Sequence, residues 1–121
     1  AFRRASNIVG IEEKKDGRSY DGAPEPGALV EPEERALLAA LEVAQGQIAR
    51  ALAEEDYGAA MAALAELRHP VDGFFAAVMV NVPAPELRLN RLLLLSRIRS
   101  SLQQTADFSL LEDAPRRERG I

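Results

Sequence analysis

The sequence contains no cysteine and only one histidine, His69, among its 121 residues. The absence of cysteine excludes disulfide frameworks and thiolate metal sites within this chain. A single histidine also excludes the usual multi-histidine metal sites, and we interpret His69, beside a predicted helix break, as a capping or surface residue. Gly-rich phosphate loops, HExxH motifs and nucleophile elbows are missing as well. The chain is therefore predicted to be a binding or structural module without a catalytic centre of its own.

Long apolar runs and an excess of positive charge are also missing. No apolar stretch approaches the roughly 20 residues needed to span a bilayer, and the first residues lack the apolar region of a secretory signal. Because the chain starts without methionine, we expect it to be a fragment of a longer, cytoplasmic protein. The formal net charge is −4 and the sequence pI about 5.1. This argues against nucleic-acid binding through bulk charge but does not exclude a local basic patch.

Aromatic residues make up only 5% of the chain, so the core must be built from Leu, Ala, Ile and Val, which suits closely packed helices. Apolar residues recur at three- and four-residue steps in five stretches. Pro32 and Pro85 suit the first turns of two helices, and Asp56 suits an N-cap. We predict an all-α bundle of about five helices, spanning roughly residues 2–9, 32–53, 57–67, 70–80 and 86–106.

The remaining stretches are predicted to be irregular. Residues 11–30 mix charges, glycines and prolines without a sustained period, which indicates a long, mobile surface loop. Gly10 is the expected cap of the first helix. Residues 113–121 form a charged, aperiodic tail that we predict to be disordered. The helical domain itself is expected to span residues 1–112.

The last predicted helix is apolar on most sides, which indicates burial at the centre of the bundle. Arg91 lies among its leucines, where an unpaired guanidinium would be costly. We therefore predict that Arg91 is a structural tether held by a carboxylate, either Asp72 or Asp107. Two further strips of this helix are predicted to be exposed: Arg88 with Arg99, and Asn90 with Arg97. The default interpretation is that these side chains are simply solvated, and the alternative is that they bind a ligand.

Five blocks of sequence together resemble one family. The blocks are RRASNI (residues 3–8), LVEPEERALL (29–38), LRHPVDGFFAAVMV (67–80), PELRLNRLLLL (85–95) and TADFSLL (105–111). In this order they resemble the DALR-type anticodon-binding domain that ends the β subunit of bacterial heterotetrameric glycyl-tRNA synthetases. The resemblance covers most of residues 2–112. One position departs from the family pattern, because Ala76 stands where an acidic residue commonly follows the paired phenylalanines.

The resemblance implies an all-α bundle that contacts the anticodon end of glycine tRNA, with no catalytic residue, metal or cofactor in this chain. It implies that ATP, Mg²⁺ and glycine are handled by the α subunit of the parent ligase. The implied protein partners are that α subunit and the remainder of the β subunit. No membrane partner is implied.

Glycine anticodons share two cytosines, and Arg or Asn side chains can donate to the cytosine carbonyl and ring nitrogen. Phe74 and Phe75 are predicted to be core residues and poor stacking partners. The candidate tRNA-binding residues are the polar residues of the first and last helices: Arg3, Arg4, Asn7, Arg88, Asn90, Arg97 and Arg99. The alternative function is a helical protein-interaction or scaffolding module without a nucleic-acid role, which the acidic pI and an alanine-rich hairpin favour.

Overall fold

The long helix α5 (Pro85–Arg119) is the element on which the others pack. The computed structural model describes the backbone of residues 2–119 and the side chains of residues 2–107. Within that part, Leu92, Leu94 and Leu95 are completely buried, and so is Ile98. Helices on several sides bury these residues, since α5 contacts the first, second and third helices of the chain. The prediction of a central helix that is apolar on most sides is confirmed.

Four shorter helices precede α5: α1 (Phe2–Asp16), α2 (Pro32–Ala53), α3 (Tyr57–Ala65) and α4 (Arg68–Ala77). A short 3₁₀ turn, Pro26–Ala28, lies between α1 and α2. Residues 2–119 contain no β-strand. The predicted all-α bundle of about five helices is therefore confirmed.

Helices α2 and α3 pack against each other across a tight turn. The Asp56 side chain caps α3, because its Oδ1 atom accepts a hydrogen bond from the Ala59 N–H at 3.0 Å. The preceding residue, Glu55, has φ +57°, a left-handed conformation that glycine usually supplies at helix ends. The Asp56 N–H then donates to the Ala51 carbonyl at 2.8 Å. This turn returns the chain directly onto α2.

The predicted end of α1 at Gly10 is wrong, because the helix continues to Asp16. A glycine inside a helix costs only about 1 kcal/mol relative to alanine, and tertiary ion pairs described below hold the following turns in place. The cap is Gly17, with φ +65°. The Arg18 N–H donates to the Glu13 carbonyl at 3.2 Å, as expected for a helix ending in a left-handed glycine. The predicted irregular loop over residues 11–30 therefore starts only at residue 17.

The linker from Gly17 to α2 is packed onto the bundle at several points. Tyr20 and Leu29 are buried. The Asn90 side chain accepts a hydrogen bond from the Glu25 N–H at 2.7 Å, and Arg35 donates to the Leu29 carbonyl at 3.1 Å. Although the sequence of this linker has no periodicity, the bundle supplies partners for it.

Two further helix boundaries differ from the prediction. Helix α4 ends at Ala77, and Val78 is extended with φ −121° and ψ 129°. Met79, predicted to continue the apolar face of that helix, is consequently 70% exposed. Helix α5 runs past the predicted end near residue 106 to Arg119. The tail predicted over residues 113–121 falls on residues whose side chains lie outside the described part, and its predicted disorder stays a prediction.

Candidate functional site

The arginines of α5 are the first candidates, and the structure pairs Arg88 with acidic residues of α1. Its Nη2 atom donates to Glu12 and, at 2.7 Å, to Asp16, while Nε donates to Asn81 at 3.1 Å. These carboxylates raise the pKa of the Arg88 guanidinium, Glu12 more than Asp16. The Tyr20 hydroxyl and then Arg88 lower the pKa of the Asp16 carboxyl.

Arg99 makes the second link between α5 and α1. Its two terminal nitrogens donate to the two carboxylate oxygens of Glu13, each at 2.8 Å. Bidentate pairs of this kind are strong and fix the geometry of both side chains. The hydrogen bonds from Arg99, followed by the one from the Tyr20 N–H at 2.9 Å, lower the pKa of Glu13 to about 2. Arg99 therefore stabilises the last turns of α1.

The second predicted strip of α5 is also occupied. Asn90 is buried, with its side chain bonded to the Glu25 N–H and to the Glu86 carbonyl. Arg97 is half-buried and donates to the Gln45 side chain at 3.1 Å. The prediction that these strips form an exposed remainder is wrong: Asn90 is inside the fold and the three arginines have internal partners. That they contact tRNA stays a prediction.

Arg91 is a buried tether, but neither predicted carboxylate holds it. Its Nε and Nη2 atoms donate to Oε1 of Glu34 at 2.9 and 2.7 Å, and Nη1 donates to the Met79 carbonyl at 2.7 Å. Arg91 is 6% exposed and Glu34 is fully buried. Asp72 and Asp107 are both exposed, and Asp107 accepts from Gln103 within its own helix. The prediction that a carboxylate holds Arg91 is confirmed, and the predicted identity of that carboxylate is wrong.

The sequence did contain a signal for Glu34. It lies three residues before Leu37, at the start of the buried stripe that continues through Leu41 and Ala44. Glu34 also lies in the first turn of α2, where a carboxylate interacts favourably with the helix dipole. A carboxylate that continues an apolar stripe is a better candidate for a buried pair.

Helix α1 sorts its charges between two faces. Its three carboxylates, Glu12, Glu13 and Asp16, bind the α5 arginines. Its cations lie on the opposite side and are exposed, together with Asn7 and Ile11. We call this the outer face of α1, with these basic residues: Arg3, Arg4, Lys14 and Lys15.

None of these four cations makes an ion pair with the described residues. Arg3, Arg4 and Asn7 were predicted site residues, and the structure brings all three to this face. Lys14 and Lys15 were missed because the helix was predicted to end at Gly10. An acidic chain thus presents one basic helix face.

A groove borders the outer face of α1. It has a volume of about 510 Å³ and lies between α1 and the residues that follow α4. The guanidinium carbon of Arg4 lies 4.3 Å from the centroid of the Phe75 ring, and Phe75 is half-buried. Phe74 is fully buried, as predicted, whereas Phe75 lies at the edge of the core.

The sequence matches the DALR anticodon binding domain over residues 1–111. The chain belongs to this family. It is 54% identical over 113 residues to a protein of Rhodospirillum centenum named glycine–tRNA ligase beta subunit, covering 93% of this chain and 16% of that protein. It is 48% identical over 111 residues to the protein of that name from Dinoroseobacter shibae, covering 92% of this chain and 15% of the relative. The chain thus spans about a sixth of the length of these relatives.

Other features of this DALR domain bear on what it can hold. In the part of the chain that the structure describes, no three His, Asp or Glu side chains are grouped so that they could ligate a metal ion. Over the same residues, no helix combines the length and the apolar character needed to cross a membrane. Among the described residues, the outer face of α1 and the groove beside it combine exposed cations with an aromatic ring.

Proposed function

We propose that this DALR domain binds the anticodon end of glycine tRNA as part of the β subunit of a glycine–tRNA ligase. The single observation that carries the proposal is the match to the anticodon-binding family over residues 1–111. The names of the two relatives supply the amino acid and the subunit. In this proposal the domain recognises tRNA, and glycine activation takes place elsewhere in the enzyme.

The outer face of α1 is the surface that we assign to the RNA backbone. Arg3, Arg4, Lys14 and Lys15 are exposed, and cations of this kind gain affinity for RNA by displacing counterions from phosphates. The α5 arginines are poorer candidates, because binding RNA through Arg88 or Arg99 would break their ion pairs with α1. A carboxylate left without its arginine would then face the RNA phosphates.

The rest of the assembly belongs to the same proposal. The domain would act together with the remainder of the β subunit and with the α subunit, which would bind ATP, Mg²⁺ and glycine. The enzyme would work in the cytoplasm, where tRNA is aminoacylated. In this proposal ATP, Mg²⁺ and glycine bind outside the 121-residue chain.

The proposal is tested by titrating the 121-residue chain into fluorescently labelled glycine tRNA and following anisotropy. We expect salt-sensitive binding that is tighter than binding to a tRNA with a different anticodon. Affinity will be modest, because a single domain lacks the multivalency of a whole enzyme. Equal affinity for the two tRNAs, or binding to neither, would contradict the proposal.

The salt dependence identifies the face that binds. Replacing Lys14 and Lys15 by alanine should reduce the slope of log affinity against log salt by about 0.7–0.9 for each cation that contacts a phosphate. The matched control is Arg50→Ala, which removes one exposed charge from the last turn of α2. We expect the control to retain the original slope. An identical slope for the lysine variant would remove the assignment to α1.

A protein-binding role is the second candidate, and one observation favours it. Val43 and Met61 are 59% and 41% exposed, and Val43 lines a groove of about 280 Å³ that is walled largely by alanines of α2 and α3. An apolar surface of this kind suits contact with another protein segment. If the chain binds no tRNA, docking through this face becomes the better proposal.

A further inference from the structure

The groove beside α1 has both apolar walls and a planar cation. It is lined by the last residues of α4 and those that follow, residues 75–81, and by three residues of α1: Arg4, Ile8 and Glu12. Met79 is 70% exposed, although it is a large apolar side chain. The groove lies next to the basic outer face of α1 and shares Arg4 with it, so a polyanion bound to that face would lie close to the groove. Charge and shape together favour an occupant that is flat, largely apolar and attached to phosphate.

The Arg4–Phe75 pair supplies a platform for such an occupant. The Arg4 guanidinium carbon lies 4.3 Å from the Phe75 ring centroid. Phe75 meets the fully buried Phe74 edge to face, with ring centroids 5.7 Å apart and an interplanar angle of 73°, which restricts the orientation of its ring. Arg4 is exposed and makes no hydrogen bond or ion pair with the described residues, so its donors remain available. Unpaired bases stack on guanidinium planes as well as on aromatic rings.

The C-terminus of α4 supplies hydrogen-bond acceptors at the same groove. The Val78 N–H donates to the Phe74 carbonyl at 2.8 Å. This is the last backbone hydrogen bond of α4. Among the described residues, the carbonyls of Phe75, Ala76 and Ala77 accept no hydrogen bond from a backbone N–H. Ala76 and Ala77 line the groove. Carbonyls at a helix C-terminus carry partial negative charge and suit an amino group.

The geometry points to an unpaired nucleobase of the bound RNA as the occupant of this groove. The base stacks on the Arg4–Phe75 pair and directs an exocyclic amine at the carbonyls that end α4. Cytosine fits this pattern, because its flat ring can stack on the pair while its exocyclic amine is offered to those carbonyls. The inference rests on the proposed tRNA-binding function and deepens it, since it assigns Arg4 and the groove to a base and leaves Arg3, Lys14 and Lys15 to the phosphates.

The test uses the 121-residue chain and anticodon stem-loop RNAs in which a fluorescent cytosine analogue replaces each loop cytosine in turn. Arg4→Lys keeps the charge and removes the planar group, and Phe75→Leu keeps an apolar side chain and removes the ring. Arg50→Lys is the matched control, since it makes the same change at an exposed arginine of α2, outside the proposed binding surface. Circular dichroism and thermal melting establish that each variant is folded.

We expect the emission of one analogue position to change when the unaltered chain binds. Arg4→Lys and Phe75→Leu should abolish that change and weaken binding about tenfold, the factor typical of one stacked base. Arg50→Lys should retain both the emission change and the affinity.

Two results would overturn the inference in distinguishable ways. If the chain binds the stem-loop and Arg4→Lys behaves like Arg50→Lys in affinity and emission, the groove is not the base site and the proposed function stands. If the unaltered chain binds no stem-loop at any salt concentration, the proposed function fails and the base site fails with it. Because Arg4→Lys alters only an exposed side chain, the first result can be obtained even if Phe75→Leu does not fold.

Discussion

Replacing Glu34 by alanine should destabilise this domain far more than replacing any exposed acidic residue. Glu34 is fully buried, and its Oε1 atom accepts two hydrogen bonds from Arg91 at 2.9 and 2.7 Å. The substitution would leave a guanidinium that is 6% exposed without an anionic partner among the described residues. Breaking one side of a buried pair typically costs about 3–5 kcal/mol. Since domains are stable by only about 5–15 kcal/mol, this is a large fraction of the total.

The measurement is urea-induced unfolding of the chain followed by circular dichroism. The matched control is Glu33→Ala, because Glu33 lies beside Glu34 in the first turn of α2. The control should lose only its interaction with the helix dipole, about 0.3–1 kcal/mol. The difference between the two variants therefore isolates the buried pair from the effect of helix position.

A double-mutant cycle then separates the pair from its surroundings. Glu34→Leu combined with Arg91→Met replaces both charges by apolar side chains, and such replacements are often neutral or stabilising. We expect a coupling energy of about 2 kcal/mol or more between the two sites. A stabilising Glu34–Arg91 pair would be refuted if Glu34→Ala cost less than about 1 kcal/mol more than Glu33→Ala. It would also be refuted if the effects of Glu34→Leu and Arg91→Met on the free energy of unfolding were additive.

Two further predictions concern the ends of helices. Arg99 and then the Tyr20 N–H lower the pKa of Glu13 from 4.5 to about 2. Between these two pH values the unfolded chain therefore binds more protons than the folded chain. The stabilisation from Glu13 is present above pH 4.5 and is lost as the pH falls towards 2. Glu13→Gln should flatten this part of a stability–pH profile by about 1 kcal/mol, a value discounted for solvent screening, and an unchanged profile would contradict the prediction. Glu55→Gly should raise the free energy of unfolding by about 0.5–1 kcal/mol, because Glu55 has φ +57° and glycine adopts that conformation without strain. Its control, Glu54→Gly at φ −91°, should destabilise, and a stabilising effect of equal size there would show that the left-handed conformation is not the cause.

Helices were predicted correctly from the sequence where the signals lie within a few residues of one another. Pro32 in a first helical turn, the apolar periodicity over residues 32–53 and the Asp56 cap all predicted elements that the structure contains. These signals are local, since they depend on residues within a few positions of one another. The same logic made α1 too short, because Gly10 resembles a local stop signal and the residues that hold Glu12 and Glu13 in place lie on α5.

The candidate site was predicted less well, because the arginines of α5 form ion pairs with residues that are distant in sequence. Arg88 and Arg99 were predicted to be ligand donors because arginine side chains can donate to the carbonyl and ring nitrogen of cytosine. The structure brings the carboxylates of α1 onto those arginines from 76 and 86 positions away in sequence. An ion pair between distant residues has no local pattern, so a cation that is committed to the fold and one that is available to a ligand look alike in the sequence.

The sequence by itself determined the helical class, the buried helix at the centre of the bundle and the family resemblance, because apolar spacing and the order of motifs are properties of the chain. Tertiary structure alone decided which charges remain available. It paired Arg91 with Glu34 and directed the acidic residues of α1 inward, and so left the basic residues of α1 on the surface. The physical reason is that a charge near the core must find a partner, whereas a charge at the surface is solvated and can be exchanged for a ligand.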